Sequence, residues 1–210
     1  MSGRRAQAAR NDERILIAAR DVFVADPDAP ISAVAERAGV GMSALYRRYS
    51  SKEELLQTLC LDGLRRYNAA AETALRDDGD AWESFAWFLG RIVEEDTHSL
   101  TLRLAGTFGP TDELGQESMR AQQLVGQLFK RTVAAGAVRA DMVTDDLGFI
   151  FEMVATVRRR DETRTEQLRR RYLTLLMDAL RPRPTSTVLP GPPPTFAELV
   201  ERFQTGGQPV

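Results

Sequence analysis

Residues 31–56, ISAVAERAGVGMSALYRRYSSKEELL, decide how this chain is read. Apolar residues spaced three and four apart predict one short helix over about 30–38 and a second over 42–49, joined at Gly39-Val40-Gly41. Two short helices linked by a three-residue, glycine-containing turn make a helix-turn-helix. Val34, Ala35 and Ala38 on the first helix, with Val40, Leu45 and Tyr49 beyond the turn, supply its buried faces. Ala35 is small where two helices cross closely, and Gly39 suits the left-handed backbone of a sharp helix exit. With Leu45 centred on the buried face, Tyr49 lies beside it, Ser43 and Arg47 point outward, and Ala44 and Tyr46 sit on the flanks. An outward Ser, Arg and Tyr suit base-edge and phosphate contacts in a major groove, and Arg47 has the fork to pair bidentately with guanine. The same spacing also fits a plain solvated hairpin carrying a few exposed arginines.

Composition narrows the alternatives. The 210 residues are 43% hydrophobic and 28% charged, enough apolar mass for a core, which excludes a fully disordered chain. No apolar run approaches the roughly 18 residues of a membrane helix. The opening MSGRRAQAARNDER has arginines but no apolar stretch behind them, unlike a secretory signal, so a cytoplasmic protein is the expectation. A single Cys, Cys60, and a single His, His98, allow neither an intramolecular disulfide nor a Cys/His zinc site, and nothing near His98 reads as a nucleophile with its base. The glycines are scattered singly, without a phosphate loop. No metal, no cofactor and no enzymatic activity are expected. The net charge of −2 hides an asymmetry: residues 1–52 hold nine Arg and Lys against six acids, and residues 53–210 hold 19 against 24. A basic head on an acidic body fits a DNA-binding module joined to something else.

Helical periodicity continues to about residue 180, and strand-like alternation is absent, so the predicted fold class is all-α. The expected helices are 11–25, 30–38, 42–49, then a long one from a Ser51/Glu54 capping box to about 76, followed by 81–97, 99–107, 112–135, 144–160 and 163–180, nine in all. Seven of the ten prolines fall after residue 180, which predicts an extended arm there, with a helical turn or two over 195–203. The domain reading is a flexible basic arm (1–10), a helix-turn-helix head (11–55), a helical body (56–180) and a proline-rich tail (181–210).

Ala38-Gly39-Val40, Leu45-Tyr46-Arg47, Tyr49 and Ser51-Lys52-Glu53 closely resemble the DNA-binding signature of the tetracycline-repressor (TetR) family. Gly136-Ala137-Val138-Arg139-Ala140-Asp141 followed by Asp146-Leu147 is similar to a turn that the family places between its last long helices. The resemblance covers about residues 10–180. It implies a homodimer whose subunits each carry a DNA-binding head and a body for ligand and dimer contacts. Carried over by position, Met42, Ser43, Ala44 and Arg47 would read bases, while Tyr46, Arg48 and Lys52 would meet phosphates. Arg4 and Arg5 would reach a minor groove or nearby phosphates. Two departures stand out: Gly41 replaces a capping Ser or Thr, and Ala29-Pro30 replaces a Thr that caps the preceding helix and touches phosphate.

The body holds many large apolar residues. Most are expected to be core, but a ligand pocket implied by the resemblance would draw on Trp82, Phe85, Phe108, Met119 and Phe149, favouring a flat or hydrophobic ligand. His98, beside Glu94, Glu95 and Asp96, reads as a surface residue near a helix end, and Cys60 as a small packed hydrophobe. Leu147, Ile150, Val154, Leu168, Tyr172, Leu175, Leu176 and Ala179 are amphipathic at helical spacing, and the resemblance implies that their helices pair in a dimer. The expectation is a homodimeric repressor released from a palindromic operator by a small hydrophobic or aromatic effector. The competing reading is a helical small-molecule-binding protein with a vestigial DNA-binding head.

Overall fold

The computed structural model describes residues 2–96, 108–109 and 111–204. The helix expected over 99–107, and His98 with it, lies outside the described residues. Among the described residues there are nine helices and no strand: α1 (Ser2–Ala25), α2 (Ile31–Ala38), α3 (Met42–Arg48), α4 (Lys52–Arg76), α5 (Ala81–Glu95), α6 (Asp112–Ala134), α7 (Asp146–Ala155), α8 (Glu162–Leu180) and α9 (Phe196–Gln204).

Most boundaries follow from caps. Ser51 opens α4 by accepting from the Glu54 amide, and the Glu54 carboxylate accepts from the Ser50 amide and hydroxyl. Asp80 opens α5 by accepting from the amides of Trp82 and Glu83, and Thr111 caps α6. Three boundaries differ from the sequence reading. The segment 1–10, expected as a flexible arm, is helical from Ser2, consistent with its run of Ala, Arg and Gln, all good helix formers. Helix α7 stops at Ala155 instead of about 160 because Arg169 reaches across from α8 and donates to the carbonyls of Ala155 (2.9 Å) and Val157 (3.1 Å). Asp161, two residues before Thr163, caps α8 by accepting from the Arg164 amide.

Two cores result. The head core gathers Ile15, Ala18, Ala19 and Phe23 of α1, Val34, Ala35 and Ala38 of α2, Leu45 of α3, and Leu55, Leu56, Leu59 and Cys60 of α4. The body core gathers Ala71 and Ala74 of α4 with Phe85, Phe88 and Leu89 of α5, Leu128 and Phe129 of α6, Leu147 and Phe151 of α7, and Leu173 of α8. Helix α4 thus runs unbroken through both, and the boundary expected at 55/56 falls inside it. Its main neighbour is α6. Asn68 donates to the carbonyl (3.1 Å) and carboxylate (2.7 Å) of Glu117, and Arg131 closes the α4 C-terminus by donating to the carbonyls of Ala74 (2.9 Å), Leu75 (3.1 Å) and Asp77 (3.0 Å).

Candidate nucleic-acid interface and body cavity

The head presents α3 by packing one side of it. Gly39 leaves α2 in the left-handed region (φ 63°), where a side chain would be strained. Arg14 on α1 donates to the Ala38 carbonyl at 2.6 Å, fastening the same corner. Leu45 is fully buried and Tyr49 nearly so. Burial pushes the Tyr49 phenol up, with the nearby Asp12 adding to the effect. These two anchors turn Met42, Ser43, Tyr46, Arg47 and Arg48 to solvent, with Ala44 half-buried beside them. All of the expected DNA-contacting set on α3 except the half-buried Ala44 is therefore exposed.

The cations on that surface are not equivalent. Arg48 donates to Asp12 of α1 at 2.8 Å, which fixes α3 against α1. Arg47 makes no ion pair with any described residue. Lys52, expected to meet phosphate, is engaged inside the head: its ammonium donates to the carbonyls of Pro27 (3.1 Å) and Ala29 (2.8 Å) and lies 5.1 Å from the Phe23 ring centre. An ammonium has three donors, so one remains for an outside acceptor. Neither Pro30 nor Gly41 supplies a side-chain cap to its helix. The side chains of Arg4 and Arg5 lie outside the described residues.

A clasp joins head to body beside this surface. The Glu53 carboxylate accepts from the Gly109 amide at 2.9 Å, and the Gln57 amide donates to the Gly109 carbonyl at 3.1 Å. Residues just before α6 are thereby held on the first turns of α4.

Of the five expected pocket residues only Trp82 and Phe85 are brought together, with ring centres 6.2 Å apart. Phe85 is fully buried and packs against Phe129, with ring centres 6.2 Å apart. Trp82 is covered by the Arg181 guanidinium at 4.4 Å. Phe108 packs on the head core, Met119 is 58% exposed, and Phe149 is half-buried on α7. These positions follow from helix register: Phe85 and Phe88 on α5 point into the body core and are consumed there, while Trp87 of the same helix is exposed. Helix packing instead leaves an apolar cavity of about 140 Å³ between α4, α6 and α7, walled by Leu64, Tyr67, Ala121, Val125, Leu147 and Gly148, with Phe196 and Leu199 of α9 on one side. Burial holds the Tyr67 phenol well above its ordinary range, hence neutral. Sequence reasoning missed these wall residues; the available signals were glycines inside helices, Gly63 and Gly148, which mark close approaches. Leu147, Ile150 and Val154, expected at a dimer surface, face the body core, whereas Met153, Tyr172 and Leu175 are exposed.

Among the described residues, no helix is long and apolar enough to cross a membrane. No curated protein sequence matches the chain at a significant level. Solved structures do. A TetR transcription regulatory protein from Mycobacterium vanbaalenii is 26% identical, with a TM-score of 0.57 over 85% of this chain and 99% of that one. The TetR transcriptional regulator SCO0520 from Streptomyces coelicolor is also 26% identical, with a TM-score of 0.57 over 81% and 98%. The TetR-like regulator LfrR from Mycobacterium smegmatis, solved in complex with proflavine, is 18% identical and matches in fold, with a TM-score of 0.57 over 87% and 99%. Residues 15–59 match the model of bacterial regulatory proteins of the tetR family, and residues 79–182 match the C-terminal domain model of SbtR-like transcriptional regulators. A helix-turn-helix head with an outward basic α3, a helical body behind it and both family models agree: the chain belongs to the TetR family of DNA-binding transcription regulators.

Proposed function

We propose that the protein is a homodimeric repressor whose two α3 helices enter successive major grooves of a near-palindromic operator, and that a small apolar or aromatic effector in the body releases it. The carrying observation is that Met42, Ser43, Tyr46 and Arg47 all face outward while Leu45 and Tyr49 hold the helix from behind. Arg47, with no ion pair to any described residue, is the base-reading cation, and Arg48 and Tyr46 are phosphate contacts. Lys52 orders the loop before α2 and offers its remaining donor to phosphate. The exposed apolar residues Met153 of α7 and Tyr172 and Leu175 of α8 support pairing of those helices with a second copy.

Release follows from geometry. An effector that separates α4 from α6 strains the Gly109 clasp on Glu53 and Gln57 and tilts the head on the unbroken α4. By linkage, an effector that weakens operator binding must itself bind less well to the DNA complex. The fold relative solved with proflavine supports a planar aromatic as the effector class.

Selection of binding sites from a random double-stranded DNA library at physiological salt tests this. Recovery of a near-palindrome with half-sites about one helical turn apart, or slightly more, is the expected result. Weak, salt-sensitive binding without a motif would overturn it and leave a ligand-binding protein with a vestigial head.

A further inference from the structure

Residues 181–195 follow a defined course despite their prolines. The Arg139 amide donates to the Leu180 carbonyl at 2.9 Å, the Arg139 guanidinium donates to the Thr187 carbonyl, and the Leu189 amide donates to the Asp141 carboxylate at 3.0 Å. Arg139 and Asp141 also pair with each other at 2.6 Å, so both groups gripping the strap are held in place. The strap delivers α9 to the open side of the body cavity. There Thr195 and Glu198 form a reciprocal cap, with the Thr195 amide and hydroxyl both donating to the Glu198 carboxylate.

The docking of α9 is narrow. Leu199 is 3% exposed, whereas Phe196 is 42% exposed. A Cβ at position 148 would stand 2.4 Å from a Leu199 methyl, so Leu199 keeps its present rotamer only against a glycine. Nine residues are too few for a helix stable by itself in water, and beneath this one the apolar cavity is left unfilled. A helix that depends on one seated leucine and still leaves a void under it is held weakly enough to be exchanged.

We infer that α9 is a displaceable plug: the cavity under it takes a small aromatic molecule, and that molecule competes with the Phe196–Leu199 face of the chain's own tail. This rests on the effector-responsive reading above and names its site and its regulation. A space of about 140 Å³ is large enough for a single ring such as benzene. With Leu199 and Phe196 withdrawn, the space widens and admits a fused-ring ligand, with Gln122 and Thr144 among its lining residues for a polar substituent. A plug docked most of the time reduces the apparent affinity of the ligand by the fraction of time that the site is open.

The test is a fluorescence titration with N-phenyl-1-naphthylamine on full-length wild type, Leu199→Asp and Gly148→Ala, with helix content checked by circular dichroism. Leu199→Asp removes the apolar anchor and Gly148→Ala crowds it, so the two loosen the plug from opposite sides and misfolding of one leaves the other decisive. Both are expected to tighten probe binding roughly tenfold, the factor for a plug docked about nine-tenths of the time. Val125→Phe added to Leu199→Asp fills the cavity and is expected to erase the gain. Unchanged affinity in both overturns the plug, and so does weakened affinity, which would make the tail a permanent wall of the site. The titration uses no DNA, so the readings separate. A palindrome from the library with unchanged probe affinity removes the plug alone, while tightened probe binding without any DNA motif removes the repressor alone.

Discussion

The head buries small and aliphatic side chains, Ala18, Ala19, Val34, Ala35, Ala38 and Leu45 around Phe23, whereas the body packs Trp82, Phe85, Phe88, Phe129 and Phe151 against one another. Small residues let three short helices cross closely, and the head presents its function on an outer face that this packing holds rigid. Rings fill the middle of the body, and an apolar cavity remains beside them. One region displays its functional residues, and the other encloses a cavity. Helix α4 belongs to both cores.

Core truncations break this contrast most directly. Phe85→Ala is expected to destabilise by about 3–5 kcal/mol and Leu45→Ala by about 2–5 kcal/mol, both read by urea denaturation. Their functional outcomes should differ. Leu45→Ala removes the anchor of α3 and DNA binding with it, while Phe85→Ala, studied in the cold where it stays folded, keeps DNA binding. Equal loss of DNA binding in both would show that head and body are not separable.

Next in size is the division of labour among the cations. Arg47→Ala is expected to cost about 1–3 kcal/mol of discrimination between the selected operator and a scrambled site, with stability unchanged. Lys52→Met, which keeps the stem over Phe23 but loses the hydrogen bonds to Pro27 and Ala29, should lower stability and weaken all DNA alike. Anisotropy titrations and melting curves of both variants separate the two roles. If Lys52→Met melted like wild type, its internal contacts would be structurally idle.

The tail offers a smaller, pH-dependent effect. The Arg139 guanidinium, helped by the Leu189 amide, holds the Asp141 carboxyl well below the usual carboxylate range. A depressed carboxylate contributes its stabilisation in full above the ordinary value of about 3.9, and loses it as pH falls through the native value. The Leu189 amide should therefore be protected from hydrogen exchange at pH 5 and lose that protection in strong acid before α4 does, as NMR can follow. Smallest of all is Gly41→Ser. The backbone there (φ −70°, ψ 146°) suits a capping serine, and an added Cβ meets nothing within 4 Å. The head should gain a few tenths of a kcal/mol, measurable as a small rise in melting temperature.

The parts legible from the chain were the local ones. The Gly39 turn, the Leu45 and Tyr49 anchors and the Ser51/Glu54 cap each depend on residues within a few positions, and each has its place in the structure. The internal partners of Lys52, the carbonyls of Pro27 and Ala29, were not legible because they lie more than twenty residues back. The end of α7 was misjudged because Arg169, a turn and more into α8, takes its last carbonyls.

The aromatic residues of α5 mark the same divide. Their spacing established that one face of a helix is apolar, since periodicity is a property of the chain. Whether a ring on that face lines a void or fills one depends on which distant helix meets it, and that is a property of packing. Phe85 therefore sits against Phe129, forty-four positions later, while the open space falls beside Tyr67, Val125 and Gly148. Helix faces are written in neighbouring residues; a cavity exists only where several such faces fail to fill the volume between them.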